Sequence, residues 1–406
     1  MTTARDELPS SSPVVITGVG VLTPLGDKLA AVSGALRAGR HAIDTGADLG
    51  GAGESRINDF DATRYANIRG MRIYNRMTRL GICATKLALL DSGLEAAALP
   101  GEELGLVTAS TFGHLDTLIE YDRSLVTAGL QRTNPAWMPL AIPSAPGAVI
   151  ALSFGAKAFS ITLSDGGVSS LDAVGLGARL LERGRARACI VVAGFAICDE
   201  LSLAASRAGM LAPAEEFRVF DQRSRGTAFG EAAAALVLER LEDARGRGAE
   251  PKAFVHGYAA TFATKSSNIE GSLHRACTGA MRASRVSPAQ VALVSASANG
   301  QLARDRAEAL ALVAALGETA ARTPVMAVKA NLGDTIDASG LLQSLAAVTA
   351  LRSGIAPPIA RLEQPQVPGL RYLREETPVD AGYALITSLS LSGACSALVL
   401  SARHET

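Results

Sequence analysis

Two neighbouring serines, Ser169 and Ser170, follow a tight turn in the stretch ITLSDGGVSSLDAVG, Ile161 to Gly175. A short β-branched run, Phe159 to Leu163, leads into Ser-Asp-Gly-Gly. An apolar-periodic helix then runs through Leu171, Val174, Leu176 and Leu180. A strand, a tight turn and a helix in that order can hold a nucleophile at a helix N-terminus, where free backbone N–H groups and the helix dipole favour an anion. The turn, however, offers Gly166 and Gly167 where a cysteine would be sought, and no histidine stands in register as a base for either serine. The serines therefore read as capping or solvating the first helical turn, and Asp165 as an N-terminal cap.

Other reactive residue types are scattered. Cys83, Cys189, Cys198, Cys277 and Cys395 have no CxxC spacing, and four of them sit in apolar strand or helix patterns, as buried structural thiols do. The five histidines, at 41, 114, 256, 274 and 404, form no HExxH or paired-ligand spacing, so neither a metal site nor any cofactor is expected.

The elements that must position the turn alternate between strand and helix. The first half reads as strand Val14–Val21, a long mixed excursion, helix Asn75–Ser92, strand Leu104–Ser110, a helical stretch Leu115–Thr127, the opening motif, and strands Cys189–Phe195 and Ala233–Glu239. The second half reads as strand Lys252–Tyr258, helix Gly271–Arg285, strand Val291–Ala296, helix Arg304–Leu316, strand Val325–Lys329, helix Ser339–Arg352 and a closing pair, Tyr383–Ser390 and Cys395–Ser401. Such alternation predicts layered α/β. A faint repeat matches strand Phe159–Leu163 and turn SDGG with strand Val325–Val328 and turn NLGD; two similar halves would bring both turns to one site.

Composition bounds the rest. A chain of 406 residues with 48% hydrophobic residues can bury a large core, and only 4% are aromatic. Lys plus Arg and Asp plus Glu both number 39, with no long basic block, which argues against nucleic acid. No apolar run approaches a membrane span, and residues 1–13 read as a flexible tail rather than a signal peptide, so a cytoplasmic setting is expected.

Several motifs together give the chain a family likeness. VVITGVGVLTPLG, the run FDQRSRGTAFGEAAAALVLERLEDARGRGA (Phe220 to Ala249), DRAE (Asp305 to Glu308), Lys329 before a glycine-bearing loop, and SLSLSGACSALVL resemble the β-ketoacyl synthases of the thiolase fold along nearly the whole length. The resemblance implies two similar α/β halves, residues 1–250 and 251–406, in α-β-α-β-α layers. It also implies a cysteine nucleophile, two histidines that assist decarboxylation, and an oxyanion site.

Sliding the family pattern along the sequence puts the cysteine position at Gly167 and the histidine positions at Ser297 and Asp334. Glycine has no side chain, serine takes up no proton near neutrality, and an ionised aspartate repels a malonyl carboxylate. The family's phenylalanine–glycine turn has also become Leu389, Ser390, Leu391 and Ser392. Asp334 and Asp337 read as neutralising Lys329 in a vestigial pocket.

This pattern resembles the chain-length factors, the second ketosynthase-like subunit of type II polyketide synthases. DRAE looks like that branch, and Val107 to Gly129 aligns without gaps to its interface-helix segment. The resemblance implies an active ketosynthase partner, an acyl carrier protein reached through the complex, and tunnel-gating positions at Leu115, Leu118 and Asp122. Their i, i+3, i+7 spacing shares one helix face. The branch commonly carries glutamine at the position of Gly167, linked with a decarboxylative priming role that glycine cannot perform. That departure implies a divergent member, from a reducing, polyene-type system. Two other readings stay open: a stand-alone acyltransferase working through Ser169 or Ser297, and a homodimeric acyl-binding scaffold.

Overall fold

A computed structural model describes residues 12–46, 51–94 and 99–403; most of the expected tail lies outside this range. In chain order the strands that matter are β1 (Val14–Leu22), β2 (Leu104–Ala109), β3 (Phe159–Leu163), β4 (Ala188–Phe195), β5 (Ala232–Arg240), β6 (Ala253–Phe262), β7 (Val291–Ser295), β8 (Pro324–Met326), β9 (Tyr383–Leu389) and β10 (Ala394–Ser401). The principal helices are α1 (Arg76–Asp91), α2 (Leu115–Ala128), α3 (Ala145–Phe154), α4 (Ser169–Glu182), α5 (Asp199–Arg207), α6 (Ile269–Ser284), α7 (Leu302–Leu316) and α8 (Ser339–Ser353).

The strands lie in the order β3-β2-β4-β5-β1 in the first half and β8-β7-β9-β10-β6 in the second, the same topology used twice. β1 pairs with β6 only through Val14, Val15 and Ile16, which joins the halves into one eleven-stranded sheet. Three helical layers cover it. Leu171 and Val174 of α4 and Leu341 and Leu345 of α8 are buried between the two sheet halves; α1 and α3 cover the outer face of the first half, and α6 and α7 that of the second. This is the expected α-β-α-β-α layering.

Close approach explains the glycines of β1. A Cβ at Gly20 would collide with the Ala84 carbonyl oxygen of α1, so only glycine lets that helix settle on the strand. The Asn75 side chain caps α1 by accepting from Thr78 N–H at 3.0 Å.

Three expectations change. The mixed excursion contains a helix at Leu29–Arg37. The strand predicted over Val325–Lys329 ends at Met326, and Lys329 opens a short buried helix, Lys329–Leu332. Helices α3 and α5 add cover that periodicity did not reveal. No helix among the described residues is long and apolar enough to cross a membrane.

Candidate functional site

The two glycine-bearing turns meet. Gly166 and Gly167, between β3 and α4, and Asp334 and Ile336, between β8 and α8, line one cavity of about 480 Å³. The tip of the β9–β10 hairpin closes its third side through Leu389, Ser390, Leu391 and Ser392. The shared site expected from the repeat therefore exists.

The expected nucleophile position is shut. A Cβ on Gly167 would lie 2.5 Å from the carbonyl oxygen of Leu389, and the Ser388 hydroxyl donates to the Gly167 carbonyl at 2.6 Å. Gly166 has φ +65°, the left-handed region that favours glycine, and its Cβ would meet the Ser390 hydroxyl at 2.8 Å.

The nearby serines are structural. Ser169 is fully buried and its Oγ accepts from Asp165 N–H at 2.7 Å, tying down the turn. Ser170 is equally buried, so it does not solvate the helix as expected; its hydroxyl has no partner among the described residues. Asp165 makes no side-chain cap, because its carboxylate accepts instead from the Ser392 hydroxyl at 2.8 Å.

Ser297 and Asp334, the two expected histidine positions, share a partner in Lys329. Lys329 Nζ lies 3.0 Å from Asp334 Oδ1 and donates to Ser297 Oγ at 3.4 Å. Burial opposes ionisation of Asp334, but Lys329, together with Asn299 Nδ2 at 2.8 Å, holds its carboxyl below the usual carboxylate range. Lys329 is thus already balanced by a carboxylate, so it serves Ser297 as no base. The neutralising role read from sequence fits Asp334 but not Asp337. Asp337 turns away to accept from Thr111 N–H and Thr111 Oγ1–H, each at 2.7 Å, and burial pushes its pKa up to about 7.

Two buried acids lie beneath the expected histidine positions. Glu308 accepts from Ser297 N–H at 2.8 Å and from the Thr387 hydroxyl, and burial raises its pKa. Asp305 accepts from the backbone N–H groups of Phe220, Asn299 and Gly300, yet burial still pushes its pKa up to about 7. Sequence reading noticed DRAE but missed Arg304 directly before it, which lines the cavity.

The expected gate positions lie elsewhere. Leu115 is half-buried, while Leu118 and Asp122 are exposed on α2, and none of the three lines the cavity. All five cysteines are free and buried; Cys189 and Cys277 have thiols raised by burial. This arrangement can hold a ligand, but it presents no activated nucleophile.

A doubled α/β topology whose central helices carry a converging pair of turns defines a thiolase-like condensing-enzyme scaffold. The chain belongs to the β-ketoacyl synthase family: residues 11–244 match the Beta-ketoacyl synthase, N-terminal domain and residues 252–363 the C-terminal domain. It is 32% identical over 378 residues to the tetracenomycin polyketide synthase ketoacyl synthase alpha subunit of Streptomyces glaucescens, covering 87% of this chain and 88% of that one. The ishigamide ketosynthase/chain length factor superposes with a TM-score of 0.89 at 24% identity, over 97% of this chain and 100% of that one. A type II PKS acyl-carrier protein in complex with its ketosynthase bound to the hexaketide gives a TM-score of 0.85 at 21% identity, over 97% and 100% respectively. These two structural likenesses establish the fold.

Proposed function

We propose that this chain is a non-condensing, chain-length-determining subunit that pairs with an active ketosynthase in polyketide biosynthesis dependent on an acyl carrier protein. The observation that carries this reading is the Leu389 carbonyl standing where a Gly167 side chain would be, with Ser297 and Asp334 occupying the two proton-handling positions. In this reading the partner supplies the nucleophile and both histidines, and this chain supplies half of the interface and the end of the tunnel. Residues 1–250 and 251–406 serve as its two structural halves, and a polyene-type product is the setting proposed.

A surface of suitable character supports a partner. β3 is the outer strand of its sheet, hydrogen-bonded among the described residues only to β2. An apolar edge of this kind invites pairing with another chain. The helix α3 packs on it, and α3, α2 and the loop after α2 expose Leu152, Val126 and Leu130 at 84%, 78% and 76%. Exposed apolar side chains of this size are ones that a partner would cover. The acyltransferase alternative gains nothing from Ser169 and Ser297, which are buried and lack a base.

The test is co-expression with a neighbouring ketosynthase, followed by size-exclusion chromatography with light scattering. A stable one-to-one heterodimer is expected, and Leu152→Asp with Val126→Asp should disperse it while leaving the fold intact. A chain that stays apart while the ketosynthase extends products normally overturns the reading.

A further inference from the structure

Segments far apart in sequence bring His41, Arg218 and Arg361 together on the side of the molecule beyond the cavity wall. The Arg361 side chain is held from two sides. Its Nη1 donates to the Ala214 carbonyl, and its Nη2 lies 2.8 Å from His41 Nε2. The Arg361 backbone has φ +61°, a left-handed conformation that non-glycine residues rarely adopt, so these contacts hold it against strain.

A guanidinium keeps its protons and can only donate, so His41 Nε2 is the lone-pair nitrogen of a neutral imidazole. Protonation would set two cations at hydrogen-bond distance. The surroundings sharpen that conflict. Arg218 adds a further positive charge beside Arg361, and its own Nη1 is engaged by the Glu215 carbonyl. Asp44 and Glu215 are the carboxylates facing the cluster, and they pull the other way. Burial and the Arg361 charge nevertheless push the His41 pKa below its ordinary value, outweighing Asp44.

The neighbours of His41 dock on the short helix Lys329–Leu332. Ala42 N–H donates to the Asn331 carbonyl at 2.8 Å, and Asn331 Nδ2 donates to the Arg40 carbonyl at 2.7 Å. Lys329, at the start of that helix, pairs with Asp334 in the cavity wall.

We infer that His41 and Arg361 form a pH-sensitive latch, which holds residues 38–46 against the Lys329 helix while His41 is neutral and releases them when it takes a proton. The folded chain binds this proton less tightly than the unfolded chain does. The latch therefore stabilises fully above about pH 6.5, and that stability is lost as pH falls below it. It lies within this chain and does not depend on the proposed partner.

Hydrogen exchange of the full-length chain, followed by mass spectrometry with intrinsic rates divided out, tests the latch. Peptides covering 38–46 should lose about tenfold in protection between pH 7.5 and pH 5, while α6 keeps its own. His41→Gln offers an amide oxygen to Arg361 at every pH and should stay protected throughout. His41→Lys carries a fixed cation and should exchange fast at both values. Arg361→Gln removes the facing charge, so its protection should not vary with pH, which provides a second check if the His41 variants fold poorly. Unchanged protection of 38–46 in the wild type or an equal fall in α6 overturns the proposal. So does a wild-type-like fall in His41→Gln or Arg361→Gln, or full protection in His41→Lys.

Discussion

The carbonyl oxygen of Leu389 stands 2.5 Å from the point that a Cβ on Gly167 would occupy. A backbone carbonyl at the end of β9 cannot swing aside as a flexible side chain can, so the position that the family resemblance assigns to the nucleophile is closed by main chain. Placing a cysteine there therefore should not confer condensing chemistry. Gly167→Cys is expected to remain unacylated when offered an acyl thioester, by intact-protein mass spectrometry. It should also lose about 1–3 kcal/mol of stability, as overpacked sites do. An acylated, condensing Gly167→Cys chain would show that the hairpin yields.

Lys329 and Asp334 form an ion pair with side chains only 4% and 13% exposed. Removing one partner strands the other charge away from water. Asp334→Ala should cost about 3–5 kcal/mol in urea unfolding, whereas Lys329→Met combined with Asp334→Leu should cost distinctly less. Equal losses in the single and double variants would mean that packing, rather than charge, dominates.

The pH dependence of stability should carry the signature of Asp337. Burial raises its folded-state pKa to about 7, above the value of roughly 3.9 for an unfolded aspartate. The folded chain then binds this proton more tightly than the unfolded chain. The associated stability is fully present below about pH 4 and is lost as pH rises through about 7. Asp305 contributes with the same sign. Between pH 5 and 7.5 the wild-type melting temperature should fall more than that of Asp337→Asn. Parallel pH profiles for the two proteins would refute the assignment.

Strong patterning made most of this architecture legible. The β-branched run at Phe159–Leu163 and the apolar period through Leu171 and Val174 announced the strand and helix flanking the turn. Lys329 misled because a lysine ending an apolar run looks like a strand terminus, whereas here its charge is buried against Asp334. The helix at Leu29–Arg37 begins without a side-chain cap, so it lacked a start signal. Ala145–Phe154 did carry one, the early Pro146, but its apolar residues show no face. At the site, the family resemblance reads Gly167, Ser297 and Asp334 as substitutions in a recognisable frame. The blocking Leu389 carbonyl could not be, because main-chain atoms leave no trace in residue identity. Arg304 stood in the sequence only as the start of a helix, and only tertiary structure turns it toward a cavity.

Leu118 provides the sharpest test of chain-length control. Helix α2 has no buried residue in this chain, and Leu118 itself is 38% exposed. A larger side chain there has room in the isolated subunit, so Leu118→Trp should change its stability by no more than about 0.5 kcal/mol. The effect should emerge only when a partner covers the helix and the added ring narrows the shared tunnel. Products of the complex, separated by liquid chromatography and mass spectrometry, should then shorten by at least one two-carbon unit. Leu115→Phe, one turn earlier on the same face, should act in the same direction, and Asp122→Leu should alter the polarity of the far end. Unchanged product length from intact Leu118→Trp and Leu115→Phe complexes would place the gate on another surface.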